Sequence, residues 1–348
     1  GKPIPWESIA AMDLSKKAVA KLMRKQVYLL SQKKKKELFK PIENIIHPVR
    51  TKLIRKELKA SQLIGKTQDG KHIYLFDYMP NSSVMREIGR LRELSFRQVQ
   101  EGTGNALDID SYDRYYRHLI LWDEDELEII GSYRIGEAAK ILKKHGEAGL
   151  YTHSLFKFNP SFIPYLEHSI ELGRSFIQPR YQGKRSLDYL WYGIGAYLYQ
   201  NPEIRYLIGP VSLSTSWPEP AQKVIASFYT ELFGNNKILV DPRLPFDFEP
   251  IQEFAPFTQV ADEENYKQAY AILKALMDDF GVKVPILYKQ YVELCQPGGC
   301  EFLGFNIDPS FSNCVDALIL VHINTIKEKK HQRYIESHAA VFQKRDSA

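Results

Sequence analysis

A strand, a Gly-containing loop and a helix follow one another between residues 169 and 200, and this unit restricts the fold more than any other part of the sequence. Residues 169–177 predict a strand, and Ser186 to Gln200 predicts a helix with one apolar side that ends at Asn201-Pro202. An apolar strand, Ile204 to Leu213, comes next. The alternation of strands and helices favours a mixed α/β fold with this unit at its centre.

The flanking segments support the same class. Before the unit, the patterns predict a strand from Ile73, a helix capped by Pro80 to Ser83, and a strand pair. After it they predict three helices and a final strand pair. The remaining predicted ranges are 117–122 and 126–135 for the first pair, 218–233, 262–279 and 285–295 for the helices, and 300–307 and 317–323 for the last pair.

Composition excludes several classes of protein. The 348 residues are 44% hydrophobic and 26% charged, which is typical of a globular chain. No apolar run approaches the roughly 18 residues of a membrane-spanning helix. Cys295, Cys300 and Cys314 are too few for a disulfide scaffold and match no zinc spacing, so we expect no metal site and a reducing, intracellular setting.

Charge is distributed unevenly along the chain. Residues 1–60 hold 16 Lys and Arg against 5 Asp and Glu, whereas the rest holds 31 against 37. We predict a basic helical arm over 1–60, a catalytic domain over 61–325 with an insertion near 235–282, and a charged, frayed tail over 326–348. Asp13 caps a predicted helix in the arm, and Lys33 to Lys36 follow it. Such an arm suits an anionic membrane surface or a solvated linker equally well.

Two charged residues in the strand at 169–177 indicate a site. Glu171 and Arg174 are costly to bury unless they are paired or functional. On a regular strand they would face opposite sides, and Gly173 between them permits a bulge that changes this.

The loop that joins this strand to the helix is basic. Arg180, Lys184 and Arg185 surround Gln182 and Gly183, and Ser186 begins the helix. Backbone N–H groups at a helix N-terminus bind phosphate well, although basic Gly loops are also common without a ligand.

Several sequence blocks resemble one family. The residues concerned are Glu171 to Ile177, Pro179 to Gly183, Leu190-Trp191, Gly193-Ile194, Tyr206 to Gly209 and Val211 to Ser214, with support from Arg90, Arg92, Phe96, Asp113, Pro285 to Leu287, Tyr291, Phe302 to Gly304, Asp308, Phe311 and Asp316. They resemble the GNAT-type N-acyltransferases described as hemolysin-like or ornithine-lipid synthases and, more distantly, the acyl-homoserine-lactone synthases. The resemblance covers roughly residues 71–323. Gly1 to Pro5 resembles the end of a glycerolipid-type acyltransferase domain, so the chain is consistent with the C-terminal half of a fusion.

The resemblance implies a GNAT-like mixed central sheet whose fourth and fifth strands, here 169–177 and 204–213, splay apart for a pantetheine arm. It implies N-acylation of an amino acid by a fatty acyl or 3-hydroxyacyl thioester. No cofactor would be bound permanently, and the co-substrate would be the phosphopantetheine thioester of acyl carrier protein (ACP), or acyl-CoA. Its phosphate would meet the 180–186 loop, and Arg180, Lys184 and Arg185 would face the carrier.

The chemistry assigns roles to the residues of this strand. Glu171 is the predicted general base, with a pKa raised by burial, although a structural ion pair is equally consistent. Backbone N–H groups near Phe176 and Ile177 are candidate oxyanion donors. Arg174, together with Arg92 and Asp113, is a candidate for substrate binding, and Arg174 alternatively pairs with Glu171 or Asp113.

Further candidates have simpler alternatives. His153 precedes the strand and is a second candidate base or an ordinary loop histidine. Ser212 and Ser214 either hold the pantetheine amides or are ordinary strand residues, and Asp308 and Asp316 are expected to fix the last strand pair. No reader motif for nucleic acid accompanies the basic arm.

The sequence therefore predicts an enzyme that makes a lyso-aminolipid of the ornithine or glycine type, located in the cytoplasm and peripheral to the inner membrane. Its expected partners are ACP, the acceptor amino acid and an anionic membrane surface, and not nucleic acid. Two alternatives remain open: a membrane-binding, hemolysin-like protein without this catalysis, and an acyl-CoA-dependent GNAT enzyme that acts on a soluble amine.

Overall fold

The computed structural model describes residues 6–10, 12, 14–30, 42–257 and 263–339. The predicted cap Asp13, the Lys33 to Lys36 run and the segment Gly1 to Pro5 lie outside these residues. The strands are β1 (Gln62–Lys66), β2 (His72–Asp77), β3 (Arg117–Asp123), β4 (Glu128–Glu137), β5 (Phe156–Phe158), β6 (Ser169–Ile177), β7 (Tyr206–Leu213), β8 (Val240–Pro242), β9 (Cys300–Asp308) and β10 (Cys314–His322). The helices are α1 (Trp6–Ala10), α2 (Lys16–Leu30), α3 (Thr51–Lys59), α4 (Ser83–Gln98), α5 (Ala138–His145), α6 (Ile163–Leu166), α7 (Ser186–Gln200), α8 (Glu219–Phe233), α9 (Glu263–Asp279), α10 (Ile286–Leu294) and α11 (Glu328–Tyr334).

Eight of these strands form one sheet in the order β1-β2-β3-β4-β6-β7-β10-β9, and β5 pairs with β8 separately. All neighbours in the large sheet are antiparallel except β6 and β7, which are parallel. Helices cover both faces. α7 to α10 pack on one face, whereas α3 and α4 cover β2 to β4 on the other, so the expected mixed α/β architecture is confirmed.

The parallel strands β6 and β7 separate soon after they meet. Their pairing covers only three positions, from Ser169 opposite Tyr206 to Glu171 opposite Ile208. Beyond these, Gly209 lies so close to the carbonyl oxygen of Leu172 that a Cβ atom would overlap it. Pro210 follows Gly209 and has no N–H group, so β7 cannot form a complete set of backbone hydrogen bonds with the strands on both of its edges. The predicted splay between the two strands is therefore present.

Strand β6 also contains a bulge. Its register against β4 shifts between Gly173, opposite Arg134, and Phe176, opposite Ser132. The residue with left-handed backbone conformation is Arg174 (φ +47°), not Gly173. The bulge was expected from Gly173, but the strain falls on the arginine next to it, where a non-glycine residue at this φ commonly marks a functional position.

The ends of the chain pack more closely than the sequence indicates. In α3, Ile54 and Leu58 are buried against the core under α4, although they fall within the predicted arm. The predicted frayed tail contains α11, which contacts α7 through the Asp188–Arg333 ion pair and a 2.6 Å hydrogen bond from Tyr334 to Asp188. His338 is also buried. Apolar residues between the charges anchor this segment, at least as far as residue 339.

Candidate functional site

A cavity of about 110 Å³ lies where β6 and β7 diverge. The strands contribute Leu172 to Ser175 on one side and Pro210 to Ser212 on the other. The remaining lining residues come from α4 and its following loop, β4, the 151–154 turn, α10, the β9–β10 connection and β10; they are Phe96, Glu101, Tyr133, Tyr151, Leu287, Tyr291, Phe311 and Asp316. The splay thus opens into a small space that has both aromatic and charged walls.

Arg174 projects its charge into this cavity. Its Nη1 donates to the Tyr151 hydroxyl at 3.3 Å, and the guanidinium stacks over the rings of Tyr151 and Phe311 at 4.9 and 4.7 Å. Its carboxylate neighbours are Asp108 (3.3 Å from Nε) and Asp110 (3.6 Å from Nη2). The predicted alternatives, a pair with Glu171 or with Asp113, are not formed. Nε is buried and lies beside Asp108 Oδ2, although this contact does not have the geometry of a hydrogen bond.

Arg92 and Asp113 lie behind the cavity wall rather than in it. Both side chains are fully buried, with Arg92 Nη1 2.9 Å from Asp113 Oδ1. Arg134 adds a contact to Asp113 at 3.3 Å and donates to Asp110 at 2.6 Å. Burial opposes ionisation of Asp113, but Arg92 and Arg134 outweigh it and hold the pKa of this carboxyl well below its ordinary value. Burial beside Arg92 lowers the pKa of His118 to about 4.

Glu171 faces the 151–154 turn and is not among the residues that line the cavity. Its carboxylate accepts hydrogen bonds from the Thr152 N–H at 2.6 Å, the Tyr151 N–H at 3.1 Å and the Tyr116 hydroxyl. Burial raises the pKa of Glu171, as predicted. The carboxylate is therefore fully engaged in holding the backbone of Tyr151, and its role as a base stays a prediction.

The other predicted catalytic residues lie apart from the cavity lining. His153 contacts Arg243 and lies 3.3 Å from Glu147, and its ring stacks edge-on to Phe158. Phe176 packs in the core under α4. Neither Phe176 nor Ile177 lines the cavity, whereas the bulge at Gly173 to Ser175 does.

The two predicted serines have different surroundings. Ser212 lines the cavity and donates a 2.6 Å hydrogen bond to Asp316. Ser214 is buried, donates to the Val99 carbonyl and contacts Ser216 at 2.8 Å. Only Ser212 is therefore in contact with the cavity.

The 180–186 loop lies directly beyond the end of β6, at the open end of the splay. Gln182, Gly183, Lys184 and Arg185 are exposed, and Gly183 has φ +74°. Arg180 is already paired with Glu128 at 2.8 Å and Glu126 at 3.1 Å. Ser186 is buried and donates to the Tyr181 carbonyl at 3.1 Å. Lys184 and Arg185 are thus the cations of this loop that are best placed to meet a ligand.

Two carboxyl groups of the cavity, Glu101 and Asp316, were not predicted as site residues. Burial is the largest effect that raises the pKa of Asp316, and the Asp308 charge is the next. The pKa of this carboxyl is thereby raised to about 7. Burial and the Asp316 charge raise the pKa of Glu101 to about 8. A carboxylate in the apolar stretch Cys314 to Leu320 was a usable signal for Asp316, but nothing in the sequence distinguishes Glu101.

Two negative findings apply to the described part of the chain. Among these residues, no group of three or more His, Cys, Asp or Glu side chains is arranged to hold a metal ion. Within the same ranges, no helix combines the length and the apolar character that crossing a bilayer requires.

Comparison with known proteins places the chain in a family. The acetyltransferase (GNAT) domain family matches residues 91–192. The glycine N(alpha)-acyltransferase of Phocaeicola vulgatus is 32% identical over 310 residues, which is 85% of this chain and 94% of that protein. The enzyme of the same name from Bacteroides thetaiotaomicron is 33% identical over 316 residues, 85% of this chain and 92% of its own.

A more distant relative and a solved structure are also similar to this chain. The L-ornithine N(alpha)-acyltransferase of Agrobacterium fabrum is 28% identical over 135 residues, 37% of this chain and 45% of that protein. Among solved structures, the AHL synthase LasI covers 76% of this chain and 98% of its own at 10% identity and a TM-score of 0.37. With relatives above 30% identity along most of its length, the chain belongs to the GNAT N-acyltransferase family and is an acyltransferase.

Proposed function

We propose that this enzyme transfers a fatty acyl group from a pantetheine thioester to the α-amino group of glycine. The observation that carries the proposal is the splay of β6 and β7 into a cavity that holds a guanidinium and two carboxyl groups. A pantetheine arm between the strands can pair with their free edges as an added strand does. Its thioester then reaches a cavity whose charges suit an amino acid.

Glycine is the acceptor favoured by two independent facts. The relatives that match over almost their full length are named for glycine, whereas the relatives named for ornithine match over less than half of theirs. A cavity of about 110 Å³ walled by Phe96, Phe311 and Tyr151 leaves little room for a side chain on the acceptor. The bulge backbone at Gly173 to Ser175 is our candidate for the oxyanion donor.

The acyl donor is proposed to be acyl-ACP. Both ACP and CoA present the same phosphopantetheine, which the exposed 182–185 segment can meet at the end of the splay. The residues after 60 carry more acidic than basic side chains, so attraction of an acidic carrier must come from a local patch such as Lys184 and Arg185. Because Arg180 already forms ion pairs with Glu126 and Glu128, it adds little positive charge to that patch.

An assay with four acceptors tests the function. Purified enzyme is expected to acylate glycine with a kcat/KM at least about tenfold above that for alanine, serine or ornithine, because each added group must fit against the aromatic wall. Mass spectrometry of the N-acyl product and competition between acyl-ACP and acyl-CoA identify the two substrates. Equal rates with ornithine would contradict the glycine assignment, and a preference for acyl-CoA would contradict the carrier assignment.

We propose further that the basic arm contacts an anionic membrane leaflet. In α1 and α2, Trp6, Val27 and Tyr28 are exposed apolar side chains, and exposed cations lie among them at Lys16, Lys17, Lys21, Arg24 and Lys25. Apolar contact together with attraction of cations to anionic lipid is the usual basis of such binding.

Replacement of Lys16, Lys17 and Lys21 by serine in the full-length chain tests the arm. At about 1 kcal/mol for each cation, affinity for vesicles containing phosphatidylglycerol should fall roughly 100-fold. Acylation of glycine in detergent should be unchanged. Binding that is equal for the variant and the wild type, measured by vesicle sedimentation, would contradict this role. Removing all of residues 1–60 is a poorer test, because Ile54 and Leu58 belong to the core.

A further inference from the structure

Glu101 and Asp316 bring two carboxyl groups from distant parts of the chain to one small cavity. Asp316 lies in β10 and is only 1% exposed. Glu101 lies in the loop after α4 and lines the same space. Asp316 Oδ1 accepts the Ser212 hydroxyl at 2.6 Å and lies 3.7 Å from Cys314 Sγ.

Neither carboxylate forms an ion pair with any residue that the structure describes. Arg174 is on the cavity wall, but its ion-pair contacts are to Asp108 and Asp110. The Arg174 charge nevertheless lowers the pKa of both carboxyls, whereas none of the other groups that interact electrostatically with the pair is a cation; they are Asp308, Tyr151, Tyr288 and Cys314. Two acids that line one small cavity without a cation in ion-pair contact resist ionising together near neutral pH, and such a pair attracts a positive group.

The cavity is therefore bipolar, with the acid pair on one part of its wall and Arg174 on another. An α-amino acid carries an ammonium and a carboxylate a few ångströms apart, which is the complementary arrangement. We propose that Glu101 and Asp316 bind the α-ammonium group of the acceptor, that Asp316 removes its proton, and that Arg174 binds its carboxylate. This inference rests on the proposed N-acylation of an amino acid.

In the proposed reaction the acceptor nitrogen loses two protons, one before and one after it bonds to the acyl carbon. The ammonium group gives one proton to the Asp316 carboxylate, and the neutral amine attacks the thioester carbonyl carbon. The C–N bond forms and the C–S bond breaks, with its electron pair leaving on the pantetheine sulfur. The nitrogen loses its second proton to that thiolate, and the proton held by Asp316 passes to solvent. A base that titrates near pH 7 suits this work because it is ionised when the amine must be deprotonated.

Three variants test the assignment in the full-length enzyme with glycine and a fatty acyl thioester. Asp316→Asn should lower kcat by about 100-fold or more and remove the acidic limb of the kcat/KM pH profile near pH 7. Glu101→Gln should raise the KM for glycine about tenfold and change kcat little, because the ammonium loses one of its two carboxyl partners. Glu203→Gln, which changes an exposed carboxylate in the turn before β7, is the matched control and should leave both constants unchanged.

Ser212→Ala tests the same base without removing it. The Ser212 hydroxyl stabilises the ionised form of Asp316 and lowers its pKa. Its loss should move the acidic limb toward higher pH by about one unit. A profile that does not move, or an Asp316→Asn enzyme that keeps its kcat and its acidic limb, would overturn the proposal.

A measurement of stability supplies a readout apart from turnover. A carboxyl whose pKa is raised by folding contributes most below its unfolded pKa near 4, and its contribution is lost as pH rises through the folded value near 7. The Tm of Asp316→Asn relative to wild type should therefore increase between pH 5 and pH 8. A constant difference would contradict titration of Asp316 in this range. If the wild type acylates no amino acid, the proposed function fails, and the melting curves still decide whether this carboxyl titrates.

Discussion

Alanine at position 209 is expected to destabilise the enzyme by about 3 kcal/mol and to lower acyl transfer about 100-fold. A Cβ atom on Gly209 would overlap the carbonyl oxygen of Leu172, and a backbone atom on a neighbouring strand cannot rotate away as a side chain would. The strands must then separate where their short parallel pairing ends, next to Glu171 and Ile208. Because both walls of the cavity continue from this junction, a displacement of about 1 Å there would misplace the reacting groups.

Gly173→Ala is the matched control for this variant. Gly173 lies on the opposite strand of the same splay, but a Cβ atom there would meet no atom within 4 Å, and its φ is not left-handed. In thermal unfolding, the Tm of the Gly173→Ala enzyme should differ from that of the wild type by no more than a few degrees. A Gly209→Ala enzyme that melts with the control and acylates glycine at the wild-type rate would show that the close approach of the two strands does not matter.

Much of the fold was available from the sequence because the central elements carry regular patterns. The ranges predicted for β6 and α7 agree with the structure to the residue, and the family resemblance identified the splayed pair. The Gly209-Pro210 dipeptide within an apolar strand also indicates where the two strands begin to separate. β1, β5 and β8 were missed because they are only three to five residues long.

The site was harder to predict because its members come from segments with no common spacing. Glu171 and Arg174 were singled out correctly as unusual buried charges, but their partners, Tyr151 and Asp108, lie in turns that only tertiary packing brings near. Asp316 was assigned to the last strand pair, and its Ser212 contact does join β10 to β7. The sequence could not show that the Asp316 carboxyl also faces the cavity, beside Glu101.

Removal of the Glu171 side chain, as in Glu171→Ala, is expected to cost about 3–5 kcal/mol and to lower turnover by about 100-fold. The carboxylate accepts from two backbone N–H groups, of Tyr151 and Thr152, and from the Tyr116 hydroxyl, all of them buried. Without it the Thr152 N–H loses its acceptor inside the protein, and the Tyr151 N–H keeps only the Tyr116 oxygen. Tyr151 would shift, and with it the hydroxyl that contacts Arg174 and that donates to Asp308 at 2.6 Å.

Glu171→Gln separates the two roles open to this residue. A glutamine can keep its oxygen toward the Thr152 N–H and donate its amide N–H to the Tyr116 oxygen, which also accepts from the Tyr151 N–H at 3.1 Å. If Glu171 positions Tyr151, the glutamine variant should recover most of the Tm and turnover lost in Glu171→Ala and should keep the acidic limb near pH 7. If Glu171 is the base, the variant should melt like wild type and yet lose turnover and the acidic limb together. Because Glu171 is saturated with donors and does not line the cavity, while Asp316 does, we expect the first result.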